Sequence, residues 1–290
     1  MKYSISNWIY GDEPLETTFE RLQRYGYDGV ELKGESKLYQ AEEVKELCKK
    51  YNLSVLSIAG IYPWPTRDRD IASPDDGVRK KAIGYLQSCI DLAAGVGAPL
   101  VVVVPSAVGK VSPMDNFKDE EEWIQAKEWA WSHAILSVRE AARYAEARGI
   151  LLAVEPINRY ETFLVNTAED GLRFIAEVNS PAVKIHLDVF HMNIEEADPA
   201  EAIRRCGEEL LVNLHISDSN RMAVGDGHID FKAIMNALKE INYQRALTLE
   251  PLPPVPDPYV ATRLKRYEAL RDKYAEQCIT RLRRLEEEIP

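Results

Sequence analysis

Paired cysteines and long apolar runs are both missing from this sequence. Its four cysteines stand far apart, with no CxxC pair among them: Cys48, Cys89, Cys206 and Cys278. That pattern excludes a disulfide framework and is typical of reduced thiols, so we expect a cytoplasmic protein. No uninterrupted apolar stretch approaches the roughly 20 residues of a membrane-spanning helix. The first 14 residues lack the apolar core of a signal peptide, so we expect neither secretion nor a membrane partner.

Positive charge is also in short supply. The 290 residues contain 36 lysines and arginines against 47 aspartates and glutamates, which gives a formal net charge of −11. Such a surface repels phosphate backbones and anionic lipids, so we expect no nucleic-acid partner. Apolar residues nevertheless make up 46% of the chain, which is enough to build a substantial core.

A glycine-rich first turn, the mark of a doubly wound nucleotide-binding sheet, is absent after the first candidate strand. Instead, short β-rich runs alternate with amphipathic helical runs, which is typical of a parallel sheet joined by helices. Eight runs qualify as strands: Tyr3–Asn7, Gly29–Leu32, Ser54–Ala59, Leu100–Val104, Leu151–Glu155, Val183–Asp188, Leu211–Ile216 and Ala246–Glu250. The helical runs between them are Leu15–Tyr25, Ala41–Tyr51, Asp76–Val96, Glu120–Arg148, Ala168–Val178, Pro199–Cys206 and Phe231–Ile241. We therefore predict a single-domain α/β protein, a (β/α)8 or TIM barrel over residues 1–257.

The segment after the last candidate strand predicts a helical extension. PLPPVPDP follows Glu250 and indicates a stiff, extended linker. We then expect one charged helix from about Val260 to Glu288 that carries an apolar stripe: Val260, Leu264, Tyr267, Tyr274, Cys278, Leu282 and Leu285. Because an apolar helix face is stable only when it is buried against another surface, residues 258–290 are expected to pack on the barrel or on a partner subunit.

The last four candidate strands each carry a possible metal ligand at the carboxyl end: Glu155, Asp188, His215 and Glu250. The spacings of 33, 27 and 35 residues each match one βα unit, so these side chains should converge at the mouth of a closed barrel. Three carboxylates and one imidazole form a hard oxygen–nitrogen shell, which suits Mn²⁺, Mg²⁺ or Co²⁺. Taken singly, each acid could instead cap the next helix or pair with a lysine or arginine.

Five segments of the second half carry a more specific signal. They are EPINRYETFLVNTAEDG (155–171), LDVFHMNIEE (187–196), HISDSNR (215–221), GDGHIDF (225–231) and LEP (249–251). In these segments the chain resembles the D-tagatose/D-psicose 3-epimerases, ketohexose 3-epimerases of the xylose isomerase-like barrel superfamily. The resemblance covers about a third of the chain.

The resemblance implies a role for each matching residue. It makes Glu155, Asp188, His215 and Glu250 the ligands of one divalent ion, with Mn²⁺ expected first. It makes Glu155 and Glu250 the pair that removes and returns the proton on C3 of the sugar. The remaining matches would hold the substrate oxygens O1 to O3: Glu161, His191 and Arg221. Dimers or tetramers are common among similar barrels, so a homo-oligomer is expected.

General chemistry is consistent with these roles. A proton beside a carbonyl can be abstracted only if the developing enediolate is stabilised, and a bound divalent ion does this as a Lewis acid. Epimerisation needs two bases on opposite faces of the planar intermediate. A bound metal ion that stabilises an enediolate also suits other reactions, which the sequence leaves open. These are the reactions of aldose–ketose isomerases, hydroxypyruvate isomerases, and inosose isomerases or dehydratases.

Two further classes are disfavoured. A DNA-repair barrel similar to endonuclease IV needs several histidines, some of them from the first four strands, yet no histidine precedes His133. A sugar-binding protein without activity should have lost at least one of the four ligands, and all four are present.

Several single residues allow two interpretations. His186 either orients a ligand or packs in the core, and Glu31 either reaches the mouth or pairs with Lys33. Glu161 could pair with Arg159 or be balanced by Arg221. Residues near the ends of strands 1 and 3 could form an apolar wall for a sugar or simply pack: Asn7, Trp8, Tyr10, Tyr62 and Trp64.

The first half also departs from the family pattern. The run VVVVPSAVG (101–109) lacks the aromatic residue expected soon after strand 4, and the insert VSPMDNFKDEEEW (111–123) is unfamiliar. Because these loops shape the pocket for the distal part of a substrate, they leave the identity of the sugar open.

Overall fold

A computed structural model describes residues 1–60 and 67–289 of the chain. Eight parallel strands form a closed barrel in the order β1 to β8, with β1 paired to β8. The strands are β1 Lys2–Ser6, β2 Gly29–Lys33, β3 Ser54–Ala59, β4 Leu100–Val103, β5 Leu151–Val154, β6 Val183–Asp188, β7 Leu211–Ile216 and β8 Ala246–Leu249. The predicted (β/α)8 barrel is confirmed.

The helices form the outer ring of the barrel. They are α1 Leu15–Tyr25, α2 Ala41–Tyr51, α3 Asp76–Val96, α4 Glu120–Glu146, α5 Ala168–Val178, α6 Val189–Glu195, α7 Pro199–Leu210, α8 Phe231–Glu240, α9 Pro258–Ala261 and α10 Glu268–Glu288. Local chemistry sets several of their ends. A capping box joins Thr167 and Asp170 at the start of α5, and Gly207 interrupts α7 with a φ of 66°, so its regular part ends at Cys206 as predicted.

The segment after β6 is a short helix, which is not among the helical runs that the sequence predicts. The Asp188 side chain accepts a hydrogen bond from the Phe190 backbone N–H and begins α6, which carries His191. One short helical turn therefore separates the end of β6 from α7, and it turns the His191 side chain back toward the barrel mouth, where it lies near Asp188.

The C-terminal stripe divides into two parts, which corrects the expectation of one continuous helix. Val260 and Leu264 are exposed, because α9 and a turn of 3₁₀ helix (Lys265–Tyr267) precede α10. From Tyr274 to Leu282 the stripe is buried, with Cys278 fully covered, and its last member, Leu285, is half-buried. Helix α10 lies against α1 and α8, the position of the eighth barrel helix. The division of the chain at residue 257 stays a prediction.

The core lies in two layers, as the barrel architecture requires. Apolar side chains between strands and helices form the main cluster, and a smaller cluster fills the barrel interior: Leu100, Val102, Ala153 and Val212. Among the described residues, no helix is both long enough and apolar enough to cross a bilayer.

Candidate active site

The barrel brings the four predicted ligand residues to one end. Glu155 and Glu250 directly follow β5 and β8, Asp188 ends β6, and His215 lies one residue before the end of β7. The β6–β7 register pairs Asp188 with His215 side by side. Each of the four is at most 2% exposed. The carboxyl ends of parallel barrel strands share one face, so the periodicity of the chain alone places these groups at the mouth.

The four side chains form one contiguous cluster around His215. Its Nδ1 lies 3.2 Å from Glu250 Oε2 and 3.8 Å from Glu155 Oε1. The Arg221 guanidinium joins the other side of the cluster, because it donates to Asp188 and, over 2.8 Å, to Glu250 Oε2. Arg221 is thus paired with two of the predicted ligands and not with Glu161.

Glu31 is a fifth member of the cluster, as the first of its two interpretations, that it reaches the mouth, requires. It lies on β2, is fully buried, and both of its carboxylate oxygens are 3.1 Å from His215 Nε2. The Ser57 hydroxyl donates to Glu31 over 2.7 Å. Lys33, the alternative partner, donates instead to the Gly11 carbonyl. The available signal was an acid near the end of an apolar strand, the same signal that marked Glu155, Asp188 and Glu250.

The charge of the cluster is unbalanced. Four buried carboxylates belong to it, those of Glu31, Glu155, Asp188 and Glu250. Within residues 1–60 and 67–289, Arg221 is the permanent cation that pairs with members of this set, namely Asp188 and Glu250. Burial disfavours the ionised form of a carboxyl group. It raises the pKa of Glu155 and of Glu250 to about 7 each, despite the opposing influence of His215.

Asp188, Glu31 and His215 are instead held in their charged forms. Burial opposes ionisation of Asp188, but Arg221 and His191 outweigh it and hold the pKa of this carboxyl well below its usual range. Burial likewise opposes charge on Glu31 and on His215. Their mutual attraction prevails, so the pKa of Glu31 falls to about 2 and that of His215, helped by Glu250, rises to about 10.

The donor set fits a divalent metal ion. Glu155 Oε2 and His215 Nδ1 are buried and have no hydrogen-bond partner within residues 1–60 and 67–289. Three overlapping groups each place three donor atoms within 4.8 Å of one another: Glu155–His186–His215, Glu31–His215–Glu250 and Glu155–Asp188–His191. Carboxylate oxygens with one or two imidazole nitrogens are the donors that Mn²⁺, Mg²⁺ and Co²⁺ accept. A bound cation would also offset the surplus negative charge.

The residues expected to hold substrate oxygens lie beside the cluster. His191 Nε2 is 3.6 Å from Asp188 Oδ2. The Asn158 amide donates to His191 Nδ1 over 2.7 Å and to Glu161 Oε1 over 3.1 Å, so it links two of the predicted substrate contacts. Asn158 was missed by the sequence interpretation. Glu161 is half-buried and does not pair with Arg159, which binds Glu195 instead.

The aromatic residues of the first half separate into two groups. The Trp8 indole N–H donates to Glu250 Oε1 over 2.5 Å, and its ring stacks on Tyr259 with centroids 5.8 Å apart. Asn7 and Tyr10 are structural, because Asn7 binds Tyr39 and Tyr10 lies under the Arg21 guanidinium. The last two candidates fall outside the described residues: Tyr62 and Trp64.

His186 combines the two interpretations offered for it. It is fully buried beneath the cluster, as a core residue would be. Its ring centroid is nevertheless 4.1 Å from that of His215, and its Nε2 lies 3.6 Å from Glu155 Oε1. Neither ring nitrogen has a hydrogen-bond partner among the described residues.

Comparisons with known proteins identify the family of this barrel. The family model of the xylose isomerase-like TIM barrel matches residues 19–271. The D-psicose 3-epimerase of Ruminiclostridium cellulolyticum is 31% identical over 258 residues, which cover 87% of this chain and 84% of that enzyme. The 3-dehydro-D-guloside 4-epimerase of Escherichia coli is 29% identical over 256 residues, which cover 86% and 92%.

A solved structure gives the same result. The crystal structure of D-psicose 3-epimerase from Clostridium cellulolyticum H10 with D-tagatose superposes with a TM-score of 0.82 at 26% identity, over 99% of both chains. The chain therefore belongs to the xylose isomerase-like TIM barrel family, is related to the D-tagatose/D-psicose 3-epimerases that its sequence resembles, and is an enzyme of the isomerase class.

Proposed function

We propose that this protein is a metal-dependent 3-epimerase of a small, free keto-sugar. The observation that carries the proposal is the buried cluster in which Glu155, Asp188, Glu31 and Glu250 surround one imidazole at the barrel mouth. The relatives named above support it, because they are epimerases that act on a carbon next to a ketone.

We propose that Glu155, Asp188, His215 and Glu250 hold the ion. When bound, a divalent cation polarises the carbonyl of the sugar and makes the neighbouring C–H more acidic. Mn²⁺ is the proposed ion, and Mg²⁺ and Co²⁺ are the alternatives.

The two glutamates are proposed as the bases. They follow β5 and β8, which are separated by β6 and β7, so their carboxylates approach a substrate in the mouth from different directions. One removes the proton from C3, and the other delivers a proton to the opposite face, which inverts the centre. The Trp8 N–H bound to Glu250 orients that carboxylate.

The substrate contacts are proposed to come from the neighbouring polar groups. Arg221, His191 and Glu161 would hold O1 to O3, with Asn158 fixing the last two side chains relative to each other. The stacked pair of Trp8 and Tyr259 offers an apolar surface of the kind that lines sugar sites.

A second candidate is supported by a specific relative. The Escherichia coli 4-epimerase is nearly as similar to this chain as the D-psicose 3-epimerase is. Its name implies inversion beside a ketone at C3, so the same two-base chemistry would act one carbon further along a glycoside. An aldose–ketose isomerase or a dehydratase of the superfamily is the remaining alternative.

Product analysis separates these reactions. The protein is incubated with Mn²⁺ and D-fructose, D-tagatose or L-ribulose, and the products are resolved by chromatography. The proposal predicts C3 epimers and, in D₂O, deuterium at C3 of substrate and product. Formation of an aldose or a dehydrated product, or turnover of a 3-keto-glycoside alone, would contradict it.

Three sequence predictions remain to be tested by experiment. A homo-oligomer can be measured by light scattering with size-exclusion chromatography. The absence of a nucleic-acid partner and the cytoplasmic location stay predictions that rest on composition and on the separated cysteines.

A further inference from the structure

Glu31 lies within the cluster but has no part in the proposed mechanism. It belongs to β2, and His215 belongs to β7, so β8 and β1 lie between them in the wall of the barrel. Their contact crosses the barrel interior between residues 184 positions apart in sequence. Both side chains are at most 1% exposed. Burying a carboxylate and an imidazole costs free energy unless each has a hydrogen-bond or ion-pair partner.

We propose that Glu31 is a positioning residue for His215. Its carboxylate accepts a hydrogen bond from the Nε2–H group, and this bond sets the tautomer in which Nδ1 offers its lone pair to a metal ion. The inference rests on the proposed function, because it takes His215 as a ligand. A metal-binding histidine commonly donates its other ring N–H to a carboxylate, which orients the ring and raises its basicity.

The two edges of the imidazole face different groups. Nε2 lies 3.1 Å from both oxygens of Glu31. Nδ1 faces the other way, toward Glu250 Oε2 at 3.2 Å and Glu155 Oε1 at 3.8 Å, and has no hydrogen-bond partner among the described residues. An ion shared by Glu155, Glu250 and His215 is therefore on the Nδ1 edge, and Glu31 acts from the opposite edge.

Glu31 is itself held in place. The Ser57 hydroxyl on β3 donates to Glu31 Oε2 over 2.7 Å, so a chain of contacts runs from Ser57 through Glu31 to His215. All three residues are buried in the barrel interior. Loss of the Glu31 carboxylate should therefore free the His215 ring more than loss of the Ser57 hydroxyl, because Glu31 contacts the ring directly and Ser57 acts only through Glu31.

Metal affinity is the first measurement. The wild-type protein and its variants are stripped of metal and titrated with Mn²⁺ by calorimetry at one fixed pH. Glu31→Leu should weaken binding about 10- to 100-fold, whereas Glu31→Gln, which keeps an oxygen acceptor, and Ser57→Ala should cause smaller losses. Thr248→Val is the matched control, because Thr248 is equally buried in the barrel but binds Ser4 and Asn213. It should stay within about twofold of wild type.

The tautomer is the second measurement, and a merely structural role would leave it unchanged. The chain has only five histidines, so ¹⁵N-histidine NMR spectra of the Mg²⁺-loaded protein can be assigned by single substitutions. Wild type should show His215 protonated at Nε2 and coordinated through Nδ1, and Glu31→Leu should show a smaller coordinated fraction together with a His215 population protonated at Nδ1. If Glu31→Leu does not fold, Glu31→Gln and Ser57→Ala carry both measurements.

Two results would overturn the inference. One is coordination of wild-type His215 through Nε2, which would make Glu31 a ligand. The other is an unchanged Mn²⁺ affinity and tautomer in the Glu31 variants. Neither measurement uses a sugar, so failure of the 3-epimerase proposal in product analysis is seen separately.

Discussion

At the residue scale, the cluster contains carboxyl groups whose ionised forms are destabilised by burial. Glu155 and Glu250 are almost completely buried, and burial raises the pKa of each to about 7. Arg221 neutralises part of the charge by bridging Asp188 and Glu250. A buried carboxyl group whose pKa is raised in this way is typical of a functional site rather than of a stabilising ion pair.

Replacing either proposed base should abolish turnover. Glu155→Gln and Glu250→Gln remove the group that exchanges a proton with C3, so kcat should fall about 10²- to 10⁴-fold or more. The measurement is the rate at which D-fructose is converted to its C3 epimer. Far-UV circular dichroism and metal content serve as controls. Unimpaired formation of the C3 epimer by either variant would refute the two-base assignment.

Removing Arg221 should destabilise the metal-free protein most. Arg221→Ala leaves Asp188 and Glu250 without their cation, and breaking a buried pair costs about 3–5 kcal/mol. Urea unfolding with and without Mn²⁺ measures the effect. Because a bound cation offsets the same charge, the loss should be smaller with metal present. An equal loss in both conditions would show that Arg221 does not share the carboxylates with an ion.

At the element scale, local sequence patterns predict where most strands and helices begin and end. All eight strands and most helix bounds agree with the predictions to within two residues. The exceptions have physical causes. Helix α6 forms because Asp188 caps it, and the C-terminal stripe is broken before α10, so only its second part packs against α1 and α8.

The two parts of the stripe should differ sharply in their contribution to stability. Leu282 is fully buried and Leu264 is 42% exposed, so the same leucine-to-alanine change tests both. Leu282→Ala should lower the free energy of unfolding by about 2–5 kcal/mol, and Leu264→Ala by less than about 1 kcal/mol. Chemical denaturation measures both values. Similar costs at the two positions would contradict the packing of α10 described here.

At the scale of the whole molecule, the barrel gathers groups from both halves of the chain around one point. Residues of β2, β3 and the segment after β1 meet those of β5 to β8: Glu31, Ser57 and Trp8 on one side, and the four proposed ligands on the other. A cation bound there would link the two halves of the barrel. Metal binding should therefore report on the stability of the entire fold.

Saturating Mn²⁺ should raise the melting temperature, and EDTA should reverse the change. An ion at 100 times its Kd contributes about 2.7 kcal/mol, which corresponds to a shift of several degrees for a chain of this size. Differential scanning fluorimetry measures the shift. The His215→Asn variant is the control and should show little response. A full response in that variant would place the ion elsewhere.

The pattern of residues by itself determined the alternation of strands and helices, and with it the placement of Glu155, Asp188, His215 and Glu250 at one end of the barrel. Periodicity and capping are local properties, and a closed parallel barrel has only one carboxyl end. The segments of the second half that resemble a known family also pointed to the chemistry.

Only the tertiary structure decided which groups touch. The Glu31–His215 contact joins residues 184 positions apart, and the Trp8–Glu250 hydrogen bond joins residues 242 positions apart. Arg221 likewise pairs with Asp188 and Glu250, which are distant in sequence, rather than with Glu161. Such contacts cross the barrel interior, so they depend on how the strands close and how side chains pack, which local sequence patterns do not report.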